Sequence, residues 1–256
     1  MIELRGIGKT FRRGREEVRA VGGVDVGIAP HSIVAFVGPS GCGKSTLLNM
    51  IAGLYPPDEG EICYRGAPVE DVNTDVGYMT QKDNLLPWRT VLHNVVLPLE
   101  LAGEPAAARE QAARAMIREV GLQGFEDKYA GELSGGMRKR ACLARMLLYD
   151  PGTLLLDEPF AALDAQLRLA MHDLLLRLWA GSRQTIVLVT HDLVEAITLA
   201  DRVIVFSRRP ARVIDDRPVD LPRPRDVSEV RFTGRFHDIY NAIWDRLRGE
   251  YAEEKP

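Results

Sequence analysis

No stretch of this chain approaches the roughly 18 consecutive apolar residues that a membrane-spanning helix needs. Cysteine is scarce as well. Cys42, Cys63 and Cys142 lie far apart and are odd in number, which excludes a zinc-ligand spacing and a disulfide framework. A dominant sign of charge is also missing: 33 Lys and Arg stand against 36 Asp and Glu, for a net charge of −3. That balance points away from nucleic acid and from a strongly anionic membrane surface. The opening MIELRGIGKTFRRG has basic residues but no apolar core, so it does not read as a signal peptide. Together these absences predict a soluble chain in a reducing cytoplasm, reaching a membrane only through partners.

Apolar residues make up 46% and charged residues 27% of the 256. That suffices to bury a core without disulfides, in one large domain or two small ones. Short strands are expected at 2–4 and 18–28, where Val24, Val26 and Ile28 alternate. Ile33–Val37 is a continuous apolar run, the mark of a strand covered on both faces. A glycine-rich turn follows, then a helix through Leu47, Leu48 and Ile51, with Gly53 as its stop. Further strand-like runs lie at 61–64, 76–80, 154–157, 185–190 and 203–206. Between Gln81 and Pro151, helical segments rich in Ala, Glu and Arg take over. They read as a helical subdomain inserted into an α/β core. Leu167, Ala170, Leu174 and Leu178 share one face of a later helix. Residues 207–226 read as a Pro/Arg-rich linker. Phe232, Phe236, Ile239, Ile243 and Leu247 then fall at helical spacing. This favours a C-terminal helix packed on the core over one that docks a partner.

The strongest motif is GPSGCGKST, comprising Gly38, Pro39, Ser40, Gly41, Cys42, Gly43, Lys44, Ser45 and Thr46. It matches G-x-x-x-x-G-K-S/T between a buried strand and a helix, the context that marks a P-loop. Glycines let backbone N–H groups turn inward around phosphate oxygens, and the helix presents its positive end to the same anion. Lys44 adds a charge at the β- and γ-phosphates, and Ser45 a hydroxyl to Mg²⁺. Kinases, GTPases, helicases and transporters all share this loop.

Other motifs narrow the class. TLLLDEP (153–159) is an apolar run ending in two acids. Its strand delivers Asp157 beside the P-loop, where it can hold Mg²⁺ through water. Glu158 faces differently, because side chains alternate along an extended chain, and can serve as general base to the attacking water. Alone, the pair would read as ordinary acids at a strand end. LSGGM (133–137) opens a helix with Ser134 as its N-cap. By itself it reads either as a capped surface helix or as a second phosphate-binding helix end, with Gly135 and Gly136 allowing close approach. Met137, Ala141, Ala144 and Leu148 form that helix's buried face, with Arg138, Lys139, Arg140 and Arg145 elsewhere. His191 follows the strand TIVLVT, where it is either structural or within reach of a γ-phosphate.

The order GPSGCGKST, Gln81, LSGGM, LLLDEP, ALD (162–164) and His191 resembles the ATPase subunits of ABC transporters, over residues 1 to about 215. The resemblance implies an α/β P-loop NTPase core, a mainly parallel sheet with an antiparallel β part, plus an inserted helical signature subdomain at about 82–150. Residues 216–256 would be a C-terminal linker and helix. It implies ATP and Mg²⁺ as cofactors, with Gly38–Thr46 as Walker A loop. Gln81 would sense Mg²⁺ and water and link to the permease. Ser134, Gly135, Gly136 and Met137 would bind the γ-phosphate on the opposite subunit. Asp157 would be the Walker B acid, Glu158 the base, Asp164 part of the D-loop and His191 the switch histidine. Phe11 stands where the family often has a tyrosine stacked on adenine. Met137 replaces a common glutamine, and Met79-Thr80 precedes Gln81 where an aromatic is frequent.

LLPWRTV (85–91) and LPRPRD (221–226) look like the nitrate/sulfonate/taurine/bicarbonate importer branch. That resemblance implies a homodimer or paired ATPase subunit at the cytoplasmic face of the membrane. It also implies transmembrane permease subunits as partners and, indirectly, an extracytoplasmic solute-binding protein. Trp88 is then either a core residue or part of the permease contact. Two alternatives are a soluble ABC ATPase acting on nucleic acid or ribosomes, and a motor for another solute or lipid. The first usually brings tandem cassettes, a coiled-coil insertion or zinc cysteines, none visible here.

Overall fold

The computed structural model describes residues 1–14 and 16–252. In chain order the elements begin with β1 (Ile2–Arg13), β2 (Glu16–Ile28), β3 (Ile33–Val37), α1 (Lys44–Ile51), β4 (Glu59–Tyr64) and β5 (Ala67–Pro68). Then come β6 (Val76–Met79), α2 (Val91–Val95), α3 (Leu97–Leu101), α4 (Ala106–Glu119) and α5 (Gly135–Tyr149). The rest comprises β7 (Thr153–Asp157), α6 (Ala165–Ala180), β8 (Thr185–Val189), α7 (Leu193–Leu199), β9 (Arg202–Phe206), β10 (Val213–Pro218) and α8 (Gly234–Ala252). The described residues form two compact units: those of 1–74 with 183–252, and 75–182.

In the first unit, an antiparallel sheet runs in the order β2-β1-β4-β5. Val24, Val26 and Ile28 are buried while Asp25 and Gly27 are exposed, the alternation of a sheet with one covered face. They pair with β1 in register, Leu4 opposite Val26 and Ile2 opposite Ile28. Both strands run further than their apolar pattern, because the ladder continues through charged pairs such as Arg12 opposite Glu17. Beside this sheet in sequence, β3 is buried at all five positions. It runs parallel to both β8 and β9.

The expected linker at 207–226 contains a strand instead. β10 runs antiparallel to β9. Its sequence, VIDDRP, has adjacent acids and a proline, which suit an outer strand and hide its periodicity. The LPRPRD segment closes the end of α7. Buried Arg225 donates from Nη1 to the carbonyls of Ile197, Thr198 and Ala200 at 3.2, 3.0 and 2.7 Å. Those are helix-end carbonyls that otherwise lack partners. Burial pushes its pKa down to about 10, so the guanidinium remains charged at neutral pH. Arg223 pairs with Asp201 at 2.7 Å. Further on, Phe236, Ile239, Ile243 and Leu247 of α8 are buried, and α8 packs on α7, β9 and β10. Phe232 falls outside that stripe. It sits in a short turn before the helix and is exposed.

In the second unit, β6 and β7 run parallel, with Met79 opposite Leu156. Helix α5 packs on β6 and against α2, α3 and α4. Two sequence expectations need correction here. The buried face of α6 is Met171, Leu174 and Leu175, whereas Ala170 is exposed. Leucines occupy several faces of this helix, so the period was readable but its phase was not. On α5, Ala141 and Ala144 are buried as expected, but Met137 and Leu148 are only half-buried, and Lys139, expected away from the buried face, is itself buried.

Candidate functional site

The phosphate-loop motif joins β3 to α1. Thr190 N–H donates to the Phe36 carbonyl at 3.2 Å, continuing the β3–β8 ladder. The loop and His191 therefore leave the carboxyl ends of neighbouring parallel strands, where α/β folds place ligands. Gly43 has a φ of 127°, and a Cβ there would stand 2.6 Å from the Ala20 carbonyl oxygen. No other residue fits that turn. Lys44 is buried, and its ammonium donates to the carbonyls of Gly38 and Pro39 at 2.8 Å each. Its charge is thus held inside the loop's own curve. Ser45 and Thr46 follow on the first turn of α1. His191 is exposed, and the next residue, Asp192, N-caps α7 by accepting from Val194 N–H at 2.8 Å. Phe11 is partly exposed and meets Tyr55 edge-on, ring centroids 5.7 Å apart. Lys9 lies over both rings.

In the second unit, Gln81 and the acids leave the carboxyl ends of β6 and β7. Asp157 is the last residue of β7 and is buried. Glu158 turns away through a φ of 49°, a left-handed conformation that costs a non-glycine residue about 1–2 kcal/mol. Strain of this kind gathers at functional positions. Gln81 Nε2 donates to Glu158 Oε2 at 3.2 Å. The 81–84 loop is in turn fastened to α5. Lys139 donates to the Gln81 carbonyl, Arg138 Nε to Asp83 Oδ2 at 2.6 Å, and Arg145 to the Asn84 carbonyl at 3.0 Å. The Cys142 thiol donates to the Asp83 carbonyl, and burial pushes its pKa up to about 11, leaving it protonated.

The N-terminus of the same helix carries LSGGM. Ser134 accepts from Met137 N–H at 3.3 Å. Gly136 lies against Leu163, whose side chain would stand 3.1 Å from an added Cβ. The next residue, Asp164, N-caps α6 by accepting from Leu167 N–H at 2.9 Å. Gln81, Asp157, Glu158, LSGGM and Asp164 thus belong to one unit, and Gly38–Thr46, His191 and Phe11 to the other.

Residues 21–161 match the ABC transporter family. The chain belongs to that family. Its relatives include an uncharacterized ABC transporter ATP-binding protein of Methanocaldococcus jannaschii, 41% identical over 96% of this chain and 92% of that protein. A taurine import ATP-binding protein of Pseudomonas entomophila is 41% identical over 99% of this chain and 98% of that one. Among solved structures, the dimeric post-hydrolysis state of the ATP-binding cassette MJ0796, bound to ADP and phosphate, superposes with a TM-score of 0.79. It is 31% identical and covers 87% of this chain and 100% of that one. The protein is an ABC transporter ATPase with the ABC cassette fold, and it binds adenine nucleotide.

Several residues of this ABC ATPase escaped the sequence reading. Tyr55 joins Phe11, and Lys139 holds the Gln81 loop. Neither has a motif to mark it; a lysine among arginines on a helix looks like surface charge. Trp88 is 71% exposed, which excludes the core alternative. It lines a crevice of about 400 Å³ with Thr90, His93 and Tyr129. Among the described residues, no helix is long and apolar enough to cross a membrane.

Proposed function

We propose that this ATPase powers uptake of a small nitrate-, sulfonate- or taurine-like anion, or a related organic solute. It does so from the cytoplasmic face of the membrane, through separate permease subunits fed by an extracytoplasmic solute-binding protein. The near-full-length likeness to a taurine import ATP-binding protein carries the importer reading, and LLPWRTV and LPRPRD support it. Residues 1–215 are the motor on this reading, with about 82–150 as its helical signature part and 216–256 as an appended tail.

The loop Gly38–Thr46 cradles the ATP phosphates, with Lys44 at the β- and γ-phosphates and Phe11 beside the adenine. Glu158 accepts the proton of the attacking water, Gln81 positions that water, and His191 contacts the γ-phosphate. Among the described residues, no cluster of His, Cys, Asp and Glu could hold a metal ion. The donors Ser45, Gln81 and Asp157 are all oxygen ligands and few in number. That set fits Mg²⁺, a hard cation usually bound with substrate phosphates, which would neutralise charge on the phosphates. Two chains pair so that Ser134, Gly135, Gly136, Met137 and Asp164 of each close the other's nucleotide site. The dimeric state of MJ0796 supports this arrangement.

A crevice of about 540 Å³ supports the permease reading. It lies between the Gln81 loop, α3 and α5, and is lined by Met79, Leu97, Met146 and Tyr149, with Leu101 at 80% exposure. An apolar recess touching the catalytic loop suits an inserted partner segment. The test is to purify the tagged chain from membranes with whatever permease and binding protein accompany it, then reconstitute the complex in liposomes. Uptake and ATPase activity should respond to one anion among taurine, alkanesulfonates, nitrate and bicarbonate. A chain that brings down no membrane-spanning partner, and that DNA or ribosomes stimulate, would overturn the reading.

A further inference from the structure

The RRPAR stretch after β9 has no part in the chemistry above, yet it reaches the phosphate loop. Arg209 donates to the Gly41 carbonyl from Nε at 3.1 Å and from Nη2 at 2.6 Å. The backbone N–H of Arg208 donates to Glu250 of α8 at 2.8 Å. Pro39–Cys42, Arg208, Arg209 and Glu250 together line a crevice of about 250 Å³.

We propose that Arg209 is a positioning residue for the phosphate-binding loop, and that the C-terminal helix holds it in place through Glu250. The proposal rests on the reading of Gly38–Thr46 as the ATP phosphate cradle. In a planar trans peptide, the Gly41 carbonyl and the Cys42 N–H point in opposite directions. A guanidinium that draws the carbonyl outward turns that N–H into the loop. There it meets the Pro39 carbonyl at 3.4 Å, the same carbonyl that accepts from Lys44. Inward N–H groups are what make such a loop attract phosphate; a flipped peptide would offer oxygen lone pairs instead.

Gly41 cannot hold this orientation by itself. Its φ is 69°, and with no Cβ its neighbouring peptides rotate at little steric cost. Two donors of one planar fork converging on one acceptor supply the missing restraint, a geometry that the single ammonium of lysine does not reproduce. The tail thereby acts on nucleotide affinity through one peptide group, without touching nucleotide.

The experiment uses the full-length chain and measures ATP dissociation constants together with steady-state KM and kcat. Arg209→Ala should raise the ATP dissociation constant and KM about three- to tenfold, the range of a charge-assisted hydrogen bond at an accessible site. Its kcat at saturating ATP should stay within about twofold of wild type, because restoring the peptide by ligand binding leaves the transition state unaltered. Arg209→Lys should remain impaired although its charge is kept. Glu250→Ala should shift affinity in the same direction, and the double variant should be no worse than Arg209→Ala alone, the non-additivity of residues in one chain of contacts. Unchanged affinity in Arg209→Ala overturns the proposal. So does full rescue by lysine, which would leave only a long-range charge effect, or additive loss in the double variant. Lys44→Ala separates the two levels. If it loses ATP binding while Arg209→Ala does not, only the positioning role fails. If Lys44→Ala binds ATP as wild type does, the phosphate-cradle reading fails.

Discussion

The Gln81 amide donates to the Glu158 carboxylate at 3.2 Å, and the two residues arrive there from the ends of neighbouring parallel strands. The bond ties the loop expected to meet the permease to the acid expected to activate water. Glu158→Gln keeps the shape but cannot take the water's proton. ATP hydrolysis should nearly vanish while ATP binding persists, and ATP should then hold a stable dimer on size-exclusion chromatography. Near-normal turnover would remove Glu158 from the role of base.

Lys139 spans the signature helix and the Gln81 loop, donating to the Thr80 carbonyl at 3.4 Å as well as to that of Gln81. Lys139→Ala should free the loop while leaving the Walker A loop intact. We expect kcat to fall about tenfold, the size that removing a charge-assisted hydrogen bond at a buried site can reach, with the ATP dissociation constant little changed. Equal losses in both quantities would mean that the lysine merely supports folding.

Trp88 is exposed, so truncation removes little packing. Trp88→Ala should alter the urea unfolding free energy by no more than about 0.5 kcal/mol, as for surface positions generally. ATPase activity of the isolated chain should persist, while coupling to transport in the reconstituted complex weakens. Undiminished coupled uptake would take Trp88 out of the permease contact.

Consider next a mixed dimer with Lys44→Ala in one chain and Ser134→Arg in the other. If each site pairs the Walker A loop of one chain with LSGGM of the other, both lesions fall in the same site and the second site is intact. Both motifs open helices, α1 and α5, and helix N-termini favour anions. One trapped nucleotide per purified mixed dimer, using a transition-state mimic, is the expected count. Mixed dimers that assemble but trap none would argue that each chain builds its own site.

Arg225 offers a stability test. Its buried guanidinium serves the carbonyls at the end of α7, and α7 begins two residues after His191. Arg225→Ala strands those carbonyls in the interior. A loss of about 2–4 kcal/mol is expected, the range for an opened buried polar network, read from the urea midpoint. A shift of a few tenths would show that water replaces the arginine.

What the sequence determined by itself was local. The strand-turn-helix around GPSGCGKST, the cap Ser134, the buried run of β3 and the apolar stripe of α8 each lie within a few turns of chain, where spacing alone carries the pattern. Tertiary structure decided the rest. The phase of α6 depends on which of several leucine faces finds a neighbour. β10 is a strand because β9 supplies its hydrogen bonds, despite a sequence with little strand character. Lys139 is buried because the backbone of the Gln81 loop gives its charge acceptors, and Trp88 is exposed because nothing in its own unit covers it. Arg209 and Gly41 are 168 residues apart, and a contact at that separation leaves no mark on local periodicity. It exists because parallel strands deliver their far-separated ends to one edge of a sheet.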